Sequence, residues 1–96
     1  MIKLTIRDDK GKDKVIQQNW ISTRTLLDGL TLLDEKIAKK FDYISEVSKF
    51  IAKVMGVTQE EILDGVASWE WDEFENSFWT QLMGGVDDPE AQAEKK

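Results

Sequence analysis

The hydrophobic period of this chain changes once, near Trp20, and that change limits the folds open to it. Ile2, Leu4 and Ile6 alternate with Lys3, Thr5 and Arg7, the two-residue period of a strand that buries one face. Asp8-Asp9-Lys10-Gly11-Lys12-Asp13 is a polar turn with a glycine, and Lys14 to Trp20 resumes as a second strand. Such a hairpin is not stable alone and needs other elements over its apolar side. From Ser22 onward the apolar spacing becomes three and four, so helices must supply that cover. The expected fold is α+β: an N-terminal two-stranded hairpin packed on about four helices, as one domain over residues 1–85.

Helix ends are marked by capping residues. Ser22 is a good N-cap, with Ile21 and Leu26 placed as a hydrophobic staple. Leu26, Leu27, Leu30, Leu33, Ile37 and Phe41 predict one amphipathic helix over 22–40, with Lys36, Lys39 and Lys40 at the end its dipole favours. A second helix from Asp42 carries Ile44, Val47, Ile51 and Val54 and stops at Gly56, the residue best suited to a left-handed C-cap. Thr58 and Glu61 form a capping box, and Val57 with Ile62 a staple, for a short helix over 59–67. A fourth helix, capped by Ser68 or by Asp72, ends near Met83 before Gly84-Gly85. Residues 86–96 contain almost nothing to bury, which predicts a disordered acidic tail.

Composition excludes several classes of function. The chain has 96 residues, no cysteine and no histidine. It therefore has no thiolate nucleophile, no cysteine zinc site and no imidazole proton shuttle. No phosphate-cradling glycine loop is present. The Asp8 to Asp13 turn has Lys10 and Lys12 where calcium ligands belong. The expectation is a protein that is not an enzyme and uses no cofactor or metal. No apolar run approaches the roughly 20 residues of a membrane span, so no membrane role and a cytosolic location are expected.

Charge is divided unevenly. Residues 1–53 hold 11 Lys and Arg against 8 Asp and Glu, whereas residues 54–96 hold 2 against 11, within a net charge of −6. An acidic half without basic neighbours faces water or a basic partner. With no cluster of basic and aromatic residues to neutralise phosphates, nucleic acid is not an expected ligand.

The segment Ser68 to Trp79 holds five large aromatics and four carboxylates in twelve positions. In a chain this small, aromatics at helical spacing mostly fill the core. Taking about 100° per residue from Phe78, the residues Phe74, Trp71 and Leu82 lie within about 40° of one line and make the core face. Trp79 and Met83 fall about 100° and 140° away, and Trp69 points to the opposite side. Beside them lie Asp72, Glu75 and Asn76. Trp69, Asp72, Glu75, Asn76, Trp79 and Met83 are therefore the candidate partner-binding residues, since aromatic anchors ringed by polar groups are typical of interfaces.

The layout as a whole resembles the tail assembly chaperones of long-tailed, non-contractile bacteriophages and prophages. The matching features are Met1-Ile2-Lys3-Leu4-Thr5-Ile6, the turn and second strand, and Trp20-Ile21-Ser22-Thr23-Arg24 leading into a leucine-rich helix. Phe50-Ile51-Ala52-Lys53-Val54-Met55-Gly56, the segment Thr58 to Val66, and a short polar stretch after Gly84-Gly85 complete the resemblance. The Trp-rich segment departs from the usual pattern. The resemblance implies a non-enzymatic protein of the host cytoplasm, absent from the finished virion, that binds the tail tape measure protein and recruits tail tube subunits. It also implies a frameshift-extended form of the same chain as a partner, this chain being the short form. Two rival readings compete: an acidic DNA mimic that inhibits a nucleic-acid-binding enzyme, and a small structural tail connector.

Overall fold

The computed structural model describes residues 1–85. Strand β1 (Ile2–Arg7) pairs antiparallel with β2 (Asp13–Gln18), setting Leu4 opposite Ile16 and Arg7 opposite Asp13. The turn between them closes because Asp8 Oδ1 accepts from the amides of Lys10 and Lys12, and Gly11 takes a positive φ of 78°. Four helices follow: α1 (Thr23–Asp34), α2 (Lys40–Met55), α3 (Gln59–Gly65) and α4 (Trp71–Leu82). The α+β architecture expected from the change of period is the one observed.

The hairpin buries Ile2, Leu4, Ile6 and Ile16 against the helices. From α2 come Val47, Ile51, Val54 and Met55, from α3 Ile62, and from α4 Trp71, Phe74 and Phe78. The core face predicted for α4 is thus the buried one, with Leu82 packed at its margin. Local signals also hold. Ser22 accepts from the Thr25 amide, Thr58 and Glu61 complete the capping box, and Gly56 ends α2 in the left-handed region at φ 72°.

Several boundaries differ from expectation; among them α2 begins at Lys40 and not at Asp42, and α3 ends at Gly65 and not at residue 67. The first helix stops at Asp34, not at residue 40. Glu35 is extended (ψ 130°), and its amide reaches back to the carbonyls of Thr31 and Leu32. The break lets α2 return across the core with its own stripe, an instance of packing overriding local periodicity. Lys36 and Lys39 consequently lie in the connection and Lys40 opens α2, where a cation is not favoured by the dipole. Neither Ser68 nor Asp72 caps α4: Ser68–Glu70 forms a 3-10 turn closed by the Glu70 amide on the Ala67 carbonyl at 2.9 Å. The second strand ends at Gln18 and leaves Trp20 exposed. The tail expected over 86–96 lies outside the described residues.

One contact seals the sheet. Gln81 of α4 accepts from the Lys3 amide at 2.8 Å and donates to the Lys3 carbonyl at 3.0 Å. Its side-chain amide thereby stands in for a neighbouring strand at the open edge of β1. At the other end of that edge Gly65 lies so close that an added Cβ would sit 2.8 Å from the Arg7 carbonyl oxygen.

Candidate functional site

The six predicted partner residues all belong to α4 or its immediate flanks, yet the fold treats them differently. Trp69, in the 3-10 turn before α4, is 82% exposed. Asp72 and Asn76 are exposed on α4, and Met83 is exposed at its C-cap. Met83 follows from the same helical line as Asp72 and Asn76, since positions 72, 76 and 83 fall within about 40° of one another. Among these residues and the adjacent Glu70 and Glu73 there is no basic side chain. Trp69 thus presents an exposed indole bordered by carboxylates.

Trp79 is not part of that surface. The expectation that it points outward is corrected by its 8% exposure. Its indole stacks on Phe50 of α2 at 5.7 Å and 15°, and meets Phe78 edge-on at 5.1 Å. The wheel of α4 alone could not reveal this, because a second wall covers that flank. Gly29 of α1 provides the space: an added Cβ there would lie 3.0 Å from a Trp79 ring carbon and 3.1 Å from Phe50. A glycine inside an otherwise leucine-rich helix, a costly choice for helix stability, was the signal of that close approach.

Glu75 is likewise turned inward. Its Oε2 accepts from the Tyr43 hydroxyl at 2.6 Å and from Trp79 Nε1 at 3.1 Å. The carboxylate thereby joins α2 to α4 and satisfies the indole N–H. Burial, followed by the hydrogen bond to Glu75, pushes the Tyr43 phenol up to about 12 from its ordinary 10.0. An unfolded phenol ionises first as pH rises, so this contact favours the native state fully below 10 and loses that contribution on the way to about 12. Tyr43→Phe should therefore lose stability less steeply than the parent across that alkaline interval. Urea midpoints measured on either side of pH 10.0 would check it; parallel curves for the two proteins would show that the folded phenol is not held above its ordinary value.

A groove of about 490 Å³ between β1 and α4 is lined by Lys3, Thr5, Arg7, Glu70 and Glu73 among others. Among the described residues no group of three or more acidic, histidine or cysteine side chains is arranged to hold a metal. No helix there is long and apolar enough to cross a membrane. The Lys14–Glu61 ion pair at 3.1 Å is exposed and fastens the hairpin to α3 only weakly.

No curated protein and no solved structure matches the chain. One family does, described as phage tail chaperone protein, and it matches residues 1–96. That match spans the hairpin, all four helices and the exposed-tryptophan surface, and on it the chain belongs to the phage tail chaperone protein family.

Proposed function

We propose that this chain binds the tail tape measure protein and recruits tail tube subunits during assembly of a non-contractile tail. It acts in the cytoplasm of the bacterial host and does not remain in the finished virion. Trp69, Asp72, Asn76 and Met83 form the partner surface, while Glu75 and Trp79 hold its framework from behind. The observation that carries this assignment is Trp69: a large aromatic 82% exposed beside carboxylates suits a partner with an apolar pocket and a basic rim. A frameshift-extended form of the chain shares the role.

Trp69→Ala tests the surface. Because the side chain contributes little to the core, the melting temperature should stay close to that of the parent. Capture of the tape measure or tail tube protein of the same phage should fall by tenfold or more, about 1.4 kcal/mol, as for a central interface aromatic. Unchanged capture of both proteins by Trp69→Ala would remove this surface from the reading. Finding the chain at stoichiometric level in purified virions would remove the chaperone role in favour of a connector.

A further inference from the structure

Helix α1 is rich in leucine but buries none of them. Its only fully buried residue is Gly29, which rests on Trp79 and Phe50. Leu32 packs at the margin of the core, whereas Leu26 and Leu30 are only half-buried and take no part in it. Leu27 is 57% and Leu33 37% exposed. Taking about 100° per residue from Gly29, these four lie at roughly 40° (Leu33), 60° (Leu26), 100° (Leu30) and 160° (Leu27). They form a continuous apolar stripe next to the face that packs on the body. It is the stripe that periodicity assigns to the core, and among the described residues it stays largely uncovered.

We infer that this stripe pairs with α1 of a second copy of the chain, antiparallel about a two-fold axis. The occupant is indicated by the charges along the stripe's outer border. Arg24 stands at the start of the helix and Asp34 at its end, at roughly 220° and 140° on the same wheel. An antiparallel two-fold pair keeps like borders together, so Arg24 of each copy meets Asp34 of the other, twice. The same register, centred on Gly29, interleaves the leucines. Leu30 of one copy falls between Leu27 and Leu30 of the other, and Leu33 lies just before Leu26. One register therefore satisfies both the apolar and the ionic pattern. A parallel two-fold arrangement in register carries the two charged borders to opposite sides of the seam, where neither Arg24–Asp34 pair forms. With a net charge of −6 on each copy, leucine burial must drive the association, and the four end charges fix its direction.

The Trp69 surface does not enter this inference, and the association itself is tested on the purified chain alone. Sedimentation velocity of the purified chain over a dilution series should show reversible conversion of an 11.1 kDa species to one of twice that mass. Leu27→Gln, on a largely exposed side chain, should shift the midpoint toward the smaller species without changing the circular dichroism spectrum. Arg24→Glu alone and Asp34→Lys alone each bring like charges together twice, and each should weaken pairing by about tenfold or more. Mixing the two variants restores two opposite-charge contacts, so a mixed dimer should form near the parental strength. A single small species at every concentration would overturn the pair, as would a mixture that associates no better than either variant alone. If the parent stays single and Leu27→Gln loses capture of a tail protein, the stripe belongs to that protein and not to a second copy.

Discussion

Trp79→Ala is expected to cost about 3–5 kcal/mol of stability, close to the loss from Phe78→Ala. Both side chains are buried, but truncating Trp79 also takes the facing ring from Phe50, the edge contact from Phe78 and one of the two donors from Glu75. Gly29 on α1 has no side chain to fill the space, so the cavity persists and its cost adds to the lost burial. Against a total stability of roughly 5–15 kcal/mol for a domain of this size, either change leaves the chain marginal. Urea titration of the two variants against the parent decides. A Trp79→Ala midpoint within experimental spread of the parent, with Phe78→Ala strongly shifted, would mean that the indole is not packed between α1 and α2.

Gly65→Val is expected to destabilise by about 1–3 kcal/mol or more, through overpacking. Even one Cβ at this position would approach the Arg7 carbonyl oxygen to 2.8 Å and the Ile6 Cβ to 3.1 Å. The first obstacle is main chain, which cannot swing aside, and the branched carbons of valine need more room still. Relief requires α3 to lift from β1. Gly29→Ala is the informative contrast. Its new methyl would first meet aromatic ring carbons of Trp79 and Phe50, at 3.0 and 3.1 Å, and alanine favours the helix by about 1 kcal/mol over glycine, so the gain offsets much of the crowding. Thermal melts rank the pair, and amide exchange locates the damage, with Ile6 and its strand neighbours losing protection in Gly65→Val. Equal melts for both substitutions would show that the α3 contact yields as easily as the aromatic one.

What could be read from the sequence was whatever a few adjacent residues decide. The Ile2, Leu4, Ile6 alternation, the Ser22 and Thr58 caps, the Gly56 stop and the Trp71, Phe74, Phe78 face each arise from local geometry, and each is present. The errors share a different cause. Trp79 is buried because Gly29 and Phe50, distant in sequence, make a second wall. Glu75 is drawn inward by Tyr43, thirty-two positions away. Periodicity along α1 identifies a leucine stripe but cannot say which side of the helix the body will occupy. Within the candidate surface, Trp69, Asp72, Asn76 and Met83 are exposed as the wheel suggested. Glu75 and Trp79 needed the tertiary structure.

The double hydrogen bond between Gln81 and Lys3 has a consequence for the order of events at the ribosome. The hairpin is translated before the helices that cover it, and the side chain that completes its edge arrives 78 residues later. Phe74 and Phe78, which help to cover its apolar face, emerge only shortly before. A growing chain therefore carries a strand edge with unpaired backbone groups, and an apolar face only partly covered by α2 and α3, until α4 is made, a state prone to mispairing with neighbouring chains. Closure must be a late step, and a chain interrupted anywhere before Gln81 releases an adhesive hairpin in place of a finished domain.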